Sequence, residues 1–179
     1  MVSFRSVRRT SGRGMALLDS AFQRHEATRV VTITRRLEFD AGHRIPHHAN
    51  QCRHLHGHRY ALEITVVGAL VEVDGAPDQA MVADFSEVKA IASRTVVEAW
   101  DHAFLAWKHD RPVIDFLATL PGHRTVEFEQ PPTAEHLAAT AFDLLQAALA
   151  ERYGSRVALS RVRLYETPNA WADAGPGSR

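Results

Sequence analysis

The chain has 179 residues, enough for one domain with a full core and short for two. Lysine plus arginine balances aspartate plus glutamate at 21 each, so no global charge marks it for nucleic acid or a membrane surface. Its single cysteine excludes an intramolecular disulfide, and no apolar run approaches the roughly 18 residues a membrane span needs, so the chain is expected in a reducing cytoplasm.

Residues 1–28 carry Arg5, Arg8, Arg9 and Arg13 among Ser and Gly with no apolar periodicity. They read as a flexible basic tail. A start assigned too early, with Met15 the true start, and a nucleic-acid arm or transit peptide stay open as other readings. From Val30 the pattern alternates: Val31, Ile33, Leu37 and Phe39 share one face of a strand, and the same parity carries Ala41 and His43 inward. A second strand, "HRYALEITVVG", places Tyr60, Leu62, Ile64 and Val66 on one face, and the parity extends back to His58 and His56.

Past the turn-rich "VDGAPDQ", helical spacing sets in, with Phe85, Val88, Ala92, Thr95 and Ala99 near one stripe. Asp84 and Glu87 resemble a capping box at its start. The stretch from Lys108 to Gln130 is irregular, with a short helix expected around Val113 to Leu120 and a short strand at Thr125 to Phe128. A second helix follows, with Thr133 as N-cap, Leu137, Ala141, Leu144, Leu145 and Ala148 as its buried stripe, and Gly154 as its stop. "VALSRVRLYET" is a third clear strand, and a short closing strand fits near Trp171. The expected fold class is α+β, an antiparallel sheet with two helices on one face.

The segment Phe39 to Tyr60 holds six of the eleven histidines and the only cysteine. His56 and His58, two apart on a strand, leave the same face, and His43 on the neighbouring strand meets them there. Three histidines leave a zinc ion one position for water or substrate, which is the pattern of a catalytic site; structural zinc more often takes four ligands that include thiolates. His47, His48 and His54 read as solvated loop residues. Cys52, in a polar loop beside the candidate cation site, is a candidate base or nucleophile, and spacing leaves it open as a fourth ligand. Asp101 beside His102 can orient the imidazole for acid work, and such pairs also occur merely at helix ends. Glu166 falls on the apolar face of its strand with Val162 and Leu164, where a carboxylate needs a partner unless a bulge turns it away.

Six motifs, "FDAGHRIPH", "CRHLHGHRY", "VADFSEVK", "WDHAFL", "PPTAEHLA" and "LYET", run in one order between Arg29 and Thr167. In them the chain resembles the 6-carboxytetrahydropterin synthase family, close relatives of the 6-pyruvoyltetrahydropterin synthases. The resemblance implies the tunnelling fold, in which ββααββ subunits form a homo-oligomer whose sheets make a barrel and whose active sites lie between subunits. It implies that His43, His56 and His58 bind Zn2+, that Cys52, Asp101 and His102 are catalytic, and that Glu166 anchors the pterin ring with Thr133 and Glu135 nearby. The implied reaction converts 7,8-dihydroneopterin triphosphate to 6-carboxy-5,6,7,8-tetrahydropterin, releasing acetaldehyde and triphosphate, in 7-deazaguanine and queuosine synthesis.

Three residues separate Cys52 from His56, a spacing like that of the carboxy-forming enzymes; the pyruvoyl-forming enzymes commonly have two more. The tail and the insertion at about 108–130 depart from the short family members. Two alternatives stay open: a pyruvoyl-forming or related pterin lyase, and a non-catalytic His-rich metal-binding protein.

Overall fold

The computed structural model describes residues 29–177; the tail expected over residues 1–28 lies outside the described residues. β1 (Val30–His43) and β2 (His56–Ala69) form a long antiparallel hairpin. β2 pairs with β5 (Val157–Thr167), and β5 with β6 (Ala170–Ala174), both antiparallel. β1, β2 and β5 are the strands the alternating pattern predicts, and β6 is the closing strand expected near Trp171. On the other side of β1 the sheet has two more strands: β3 (Phe104–Trp107), which the pattern does not predict, runs parallel to β1, and β4 (Thr125–Phe128), the short strand expected there, runs parallel to β3, giving the order β4-β3-β1-β2-β5-β6.

The sheet is thus mixed where the pattern predicts it antiparallel. β3 escapes sequence reading because it is buried on both faces, so "FLAW" shows no alternation. Leu105 enters the main core, while Phe104 and Ala106 point the other way and pack with Val113, Ile114 and Leu117 in a second small core. Those last three belong to α3 (Arg111–Ala118), which therefore lies on the opposite sheet face from the other helices.

The first helical segment is α1 (Phe85–Ala92), one π-helical turn (Ser93–Val97) and α2 (Glu98–Trp100). Val88, Ile91 and Ala92 are buried and Phe85 is exposed; the π turn then advances the phase by one residue, so Val96 and Trp100 are buried while Ala99 of the expected stripe faces solvent. Asp84 caps α1 by accepting from Ser86 N–H at 2.7 Å. Glu87 does not complete a capping box; it takes Arg152 at 2.7 Å and the Tyr153 hydroxyl at 2.9 Å, tying α1 to α4 (Ala134–Tyr153). In α4, Leu137, Ala141, Phe142, Leu145 and Leu149 pack on the sheet, whereas Leu144 lies at the rim, 42% exposed, contrary to its expected place. Thr133 caps α4 and Gly154 ends it with φ +58°, as expected.

The outer face of β1, β2, β5 and β6 is charged: Arg59 pairs with Glu38, Arg161 reaches Glu63, and Arg163 holds Asp173 with both arms. No helix among the described residues is long and apolar enough to cross a membrane.

Candidate active site

The hairpin register sets the centre of the site. His43 stands directly across from His56, and Ala41 across from His58, so all three imidazoles share the inner face at the loop end of the hairpin. Their ring centroids are 4.4 to 5.1 Å apart, and one ligand nitrogen from each falls within 4.8 Å of the others. Gly57 has a steric reason to lie between two of them, since a Cβ there would stand 2.9 Å from the Ala41 carbonyl oxygen.

Two carbonyls settle the tautomers. His43 Nδ1 is 2.9 Å from the Pro132 oxygen and His56 Nδ1 is 2.8 Å from the His54 oxygen. A carbonyl only accepts, so each Nδ1 carries the proton and each Nε2 keeps a lone pair. His43 is 1% exposed, and burial lowers its pKa to about 4; burial also lowers that of His58. Both are therefore neutral at neutral pH. His43 Nε2 is buried without a hydrogen-bond partner among the described residues, an expensive state that a metal ion relieves. The donor set fits a tetrahedral ion with an open position.

Glu166 Oε1 approaches the trio, 3.5 Å from His43 Nε2 and 3.9 Å from His58 Nε2. A ladder irregularity between β5 and β6 does occur at Tyr165/Thr167, yet it leaves the carboxylate facing the histidines. Cys52 sits in the loop after β1, on a 3-10 turn (Gln51–Arg53), its carbonyl accepting from Ile45 N–H at 2.7 Å. It borders two adjoining hollows, one with His54, His56 and His58, the other with Thr133, Glu135, Glu166 and Trp171. Thr133 uses its hydroxyl to cap α4, accepting from His136 N–H at 3.3 Å, and Glu135 is exposed at the same rim.

Asp101 and His102 lie against Asp40 near the end of β1. His102 Nδ1 lies 3.0 Å from Asp101 Oδ2, and Asp101 Oδ1 accepts from Asp40 N–H at 2.9 Å. That backbone donor, with His102 second, holds the Asp101 carboxyl below its ordinary range. His102 has φ +56°, a left-handed conformation unfavourable for histidine, held by its N–H to the Asp40 oxygen at 2.6 Å. His102 borders a hollow with Asp40, Gly42, Gly57 and Arg59, which have outward strand parity, and with Ala41 and His58 of the inner face. Among the described residues, Cys52 and His102 border no common hollow.

Tyr60 is a site residue that motif reading passed over as core. Its ring packs 5.9 Å from His43 and 5.6 Å from His58, and its hydroxyl is buried with no hydrogen-bond partner among the described residues. Burial raises its pKa, with the charges of Glu166 and Cys52 adding to the effect. The signal was present: Tyr60 follows His58 by two, so it shares the face. The Pro132 carbonyl carried no such signal, because it reaches His43 across 89 residues.

A curled α+β sheet backed by helices, with three inward histidines and an acid at the loop end of its central hairpin, defines an enzyme of the tunnelling-fold class. Residues 32–176 match the model of the 6-pyruvoyl tetrahydropterin synthase family, and the chain belongs to that family. A relative from Rickettsia bellii named 6-carboxy-5,6,7,8-tetrahydropterin synthase is 34% identical, the match covering 80% of this chain and 99% of that protein. One of the same name from Haemophilus influenzae is 30% identical over 79% of this chain and 96% of its own length. Two solved structures share the fold. An uncharacterized protein from Wolinella succinogenes aligns with TM-score 0.66 and 22% identity, over 82% of this chain and 98% of that one. The 6-pyruvoyl tetrahydropterin synthase of Caenorhabditis elegans aligns with TM-score 0.60 and 20% identity, over 84% and 98%. Membership of a synthase family removes the non-catalytic metal-binding alternative.

Proposed function

We propose that the chain is a cytoplasmic, zinc-dependent 6-carboxy-5,6,7,8-tetrahydropterin synthase, converting 7,8-dihydroneopterin triphosphate to the 6-carboxylated tetrahydropterin with loss of acetaldehyde and triphosphate, in the route to 7-deazaguanines and queuosine. The observation that carries the reading is the meeting of Glu166 with the histidine trio beside Cys52, in a chain whose curated relatives bear the carboxy name.

His43, His56 and His58 hold the ion, which when bound supplies Lewis-acid polarisation of substrate oxygens. Glu166 accepts the pterin's 2-amino and N3 hydrogens, a charged acceptor for two donors on one edge of the ring. Thr133 and Glu135 border the same hollow. Cys52 takes a proton from the substrate side chain, and His102, oriented by Asp101, delivers one during the rearrangement.

That His102 borders no hollow in common with Cys52 supports a homo-oligomer in which the Asp101–His102 pair serves the Cys52 of a neighbouring subunit. Product identification from the zinc-loaded protein with 7,8-dihydroneopterin triphosphate tests the whole reading. Acetaldehyde in proportion to a 6-carboxylated product is expected; a 6-pyruvoyl product without acetaldehyde would move the chain to the pyruvoyl-forming reading that its family's name carries.

A further inference from the structure

Asp110 is the most deeply buried carboxylate among the described residues, 4% exposed, and it belongs to the insertion rather than to any motif. It occupies the N-cap position of α3 yet does not cap that helix with its side chain. Both carboxylate oxygens go instead to Arg44, at 2.6 Å from Nε and 2.5 Å from Nη2. A side chain that forgoes its local cap for a distant guanidinium indicates that the distant contact matters more.

Arg44 immediately follows His43, and three contacts from one limb converge there. β3 pairs with the end of β1 at His43↔Leu105. The Pro132 carbonyl, just past β4, fixes the His43 ring through Nδ1. Asp110, between β3 and α3, fixes the chain one residue further on. The next residue, Ile45, then holds the Cys52 carbonyl. Asp110 also neutralises a guanidinium that would otherwise stand unpaired next to a cation site.

We propose that Asp110 is a positioning residue for the three-histidine metal site: by gripping Arg44 it holds His43 in ligating geometry, so that the insertion serves metal affinity. The inference rests on the metal reading above.

The test is zinc affinity by competition with a chromophoric chelator, alongside circular dichroism to verify folding. Asp110→Asn, nearly isosteric, is expected to weaken zinc binding about 10–100-fold, the range typical of residues that orient a ligand. Asp173→Asn, which breaks the equally two-armed pair with Arg163 on the outer sheet face, is expected to leave affinity unchanged. Should Asp110→Asn fail to fold, the neutral pair Arg44→Gln with Asp110→Asn replaces it, with the same expected direction. A folded variant that binds zinc within twofold of wild type would overturn the inference alone, and so would an equal loss in Asp173→Asn. A wild-type protein without tight zinc would remove the metal reading and this inference together.

Discussion

Glu166 Oε1 stands 3.5 Å from His43 Nε2, so the carboxylate proposed to hold the pterin ring shares a wall with the nitrogen proposed to hold the metal. Ring recognition and side-chain chemistry are then set a fixed distance apart by two strands of one sheet, β1 and β5, both paired to β2.

Glu166→Gln keeps the size of the side chain but loses the charge. It is expected to lower kcat/KM by about 10–100-fold, the equivalent of the roughly 1.5–3 kcal/mol of a charged hydrogen bond, with zinc content unchanged. Steady-state kinetics and metal analysis check this together; loss of zinc would make Glu166 a ligand instead.

Cys52→Ala separates catalysis from ligation. The variant is expected to retain stoichiometric zinc and to lose about 10²–10⁴-fold in turnover, as removal of a general base typically does. His56→Ala and His58→Ala are expected to lose the metal itself, so atomic absorption on the three purified variants distinguishes the roles.

If His102 of one subunit serves Cys52 of another, Cys52→Ala and His102→Ala are each inactive alone but complementary. Mixed under conditions of subunit exchange, they are expected to regain a fraction of wild-type activity through sites that receive both intact residues. No recovery despite demonstrated exchange would place both groups in one chain's site.

Tyr60→Phe removes a buried hydroxyl that finds no partner among the described residues. Deleting an unsatisfied polar group is not expected to lower the melting temperature. A fall in Tm would show that the hydroxyl is bonded within the fold.

The metal-free protein is expected to lose stability as pH falls. His43 has its folded-state pKa lowered to about 4 from the ordinary 6.5 by burial. Between these values the unfolded chain takes up a proton that the folded one refuses. Stability is then full above pH 6.5, declines through the window down to about 4, and levels off below it, by a total on the order of 3 kcal/mol. Urea denaturation of chelator-treated protein at pH 7.5 and 5 measures the effect, and bound zinc should widen the gap.

The sequence by itself determined the strands that alternate, the two capped helices and the histidine trio, because each follows from local periodicity. His43, His56 and His58 were legible since strand parity is a period of two, and the hairpin only had to bring the ends of β1 and β2 into register. Glu166 was legible by the same parity, as a charge on an apolar face. Where the period failed, so did the reading. The π turn moved the buried stripe from Ala99 to Trp100, and "FLAW" hid a parallel strand because burial on both faces erases alternation. Tertiary structure alone decided that α3 crosses to the far side of the sheet, that His102 borders no hollow in common with Cys52, and that Pro132 and Asp110 reach back to His43 and Arg44 across 89 and 66 residues. Contacts at such separations depend on the path of the whole chain, and no local pattern of residue types encodes them.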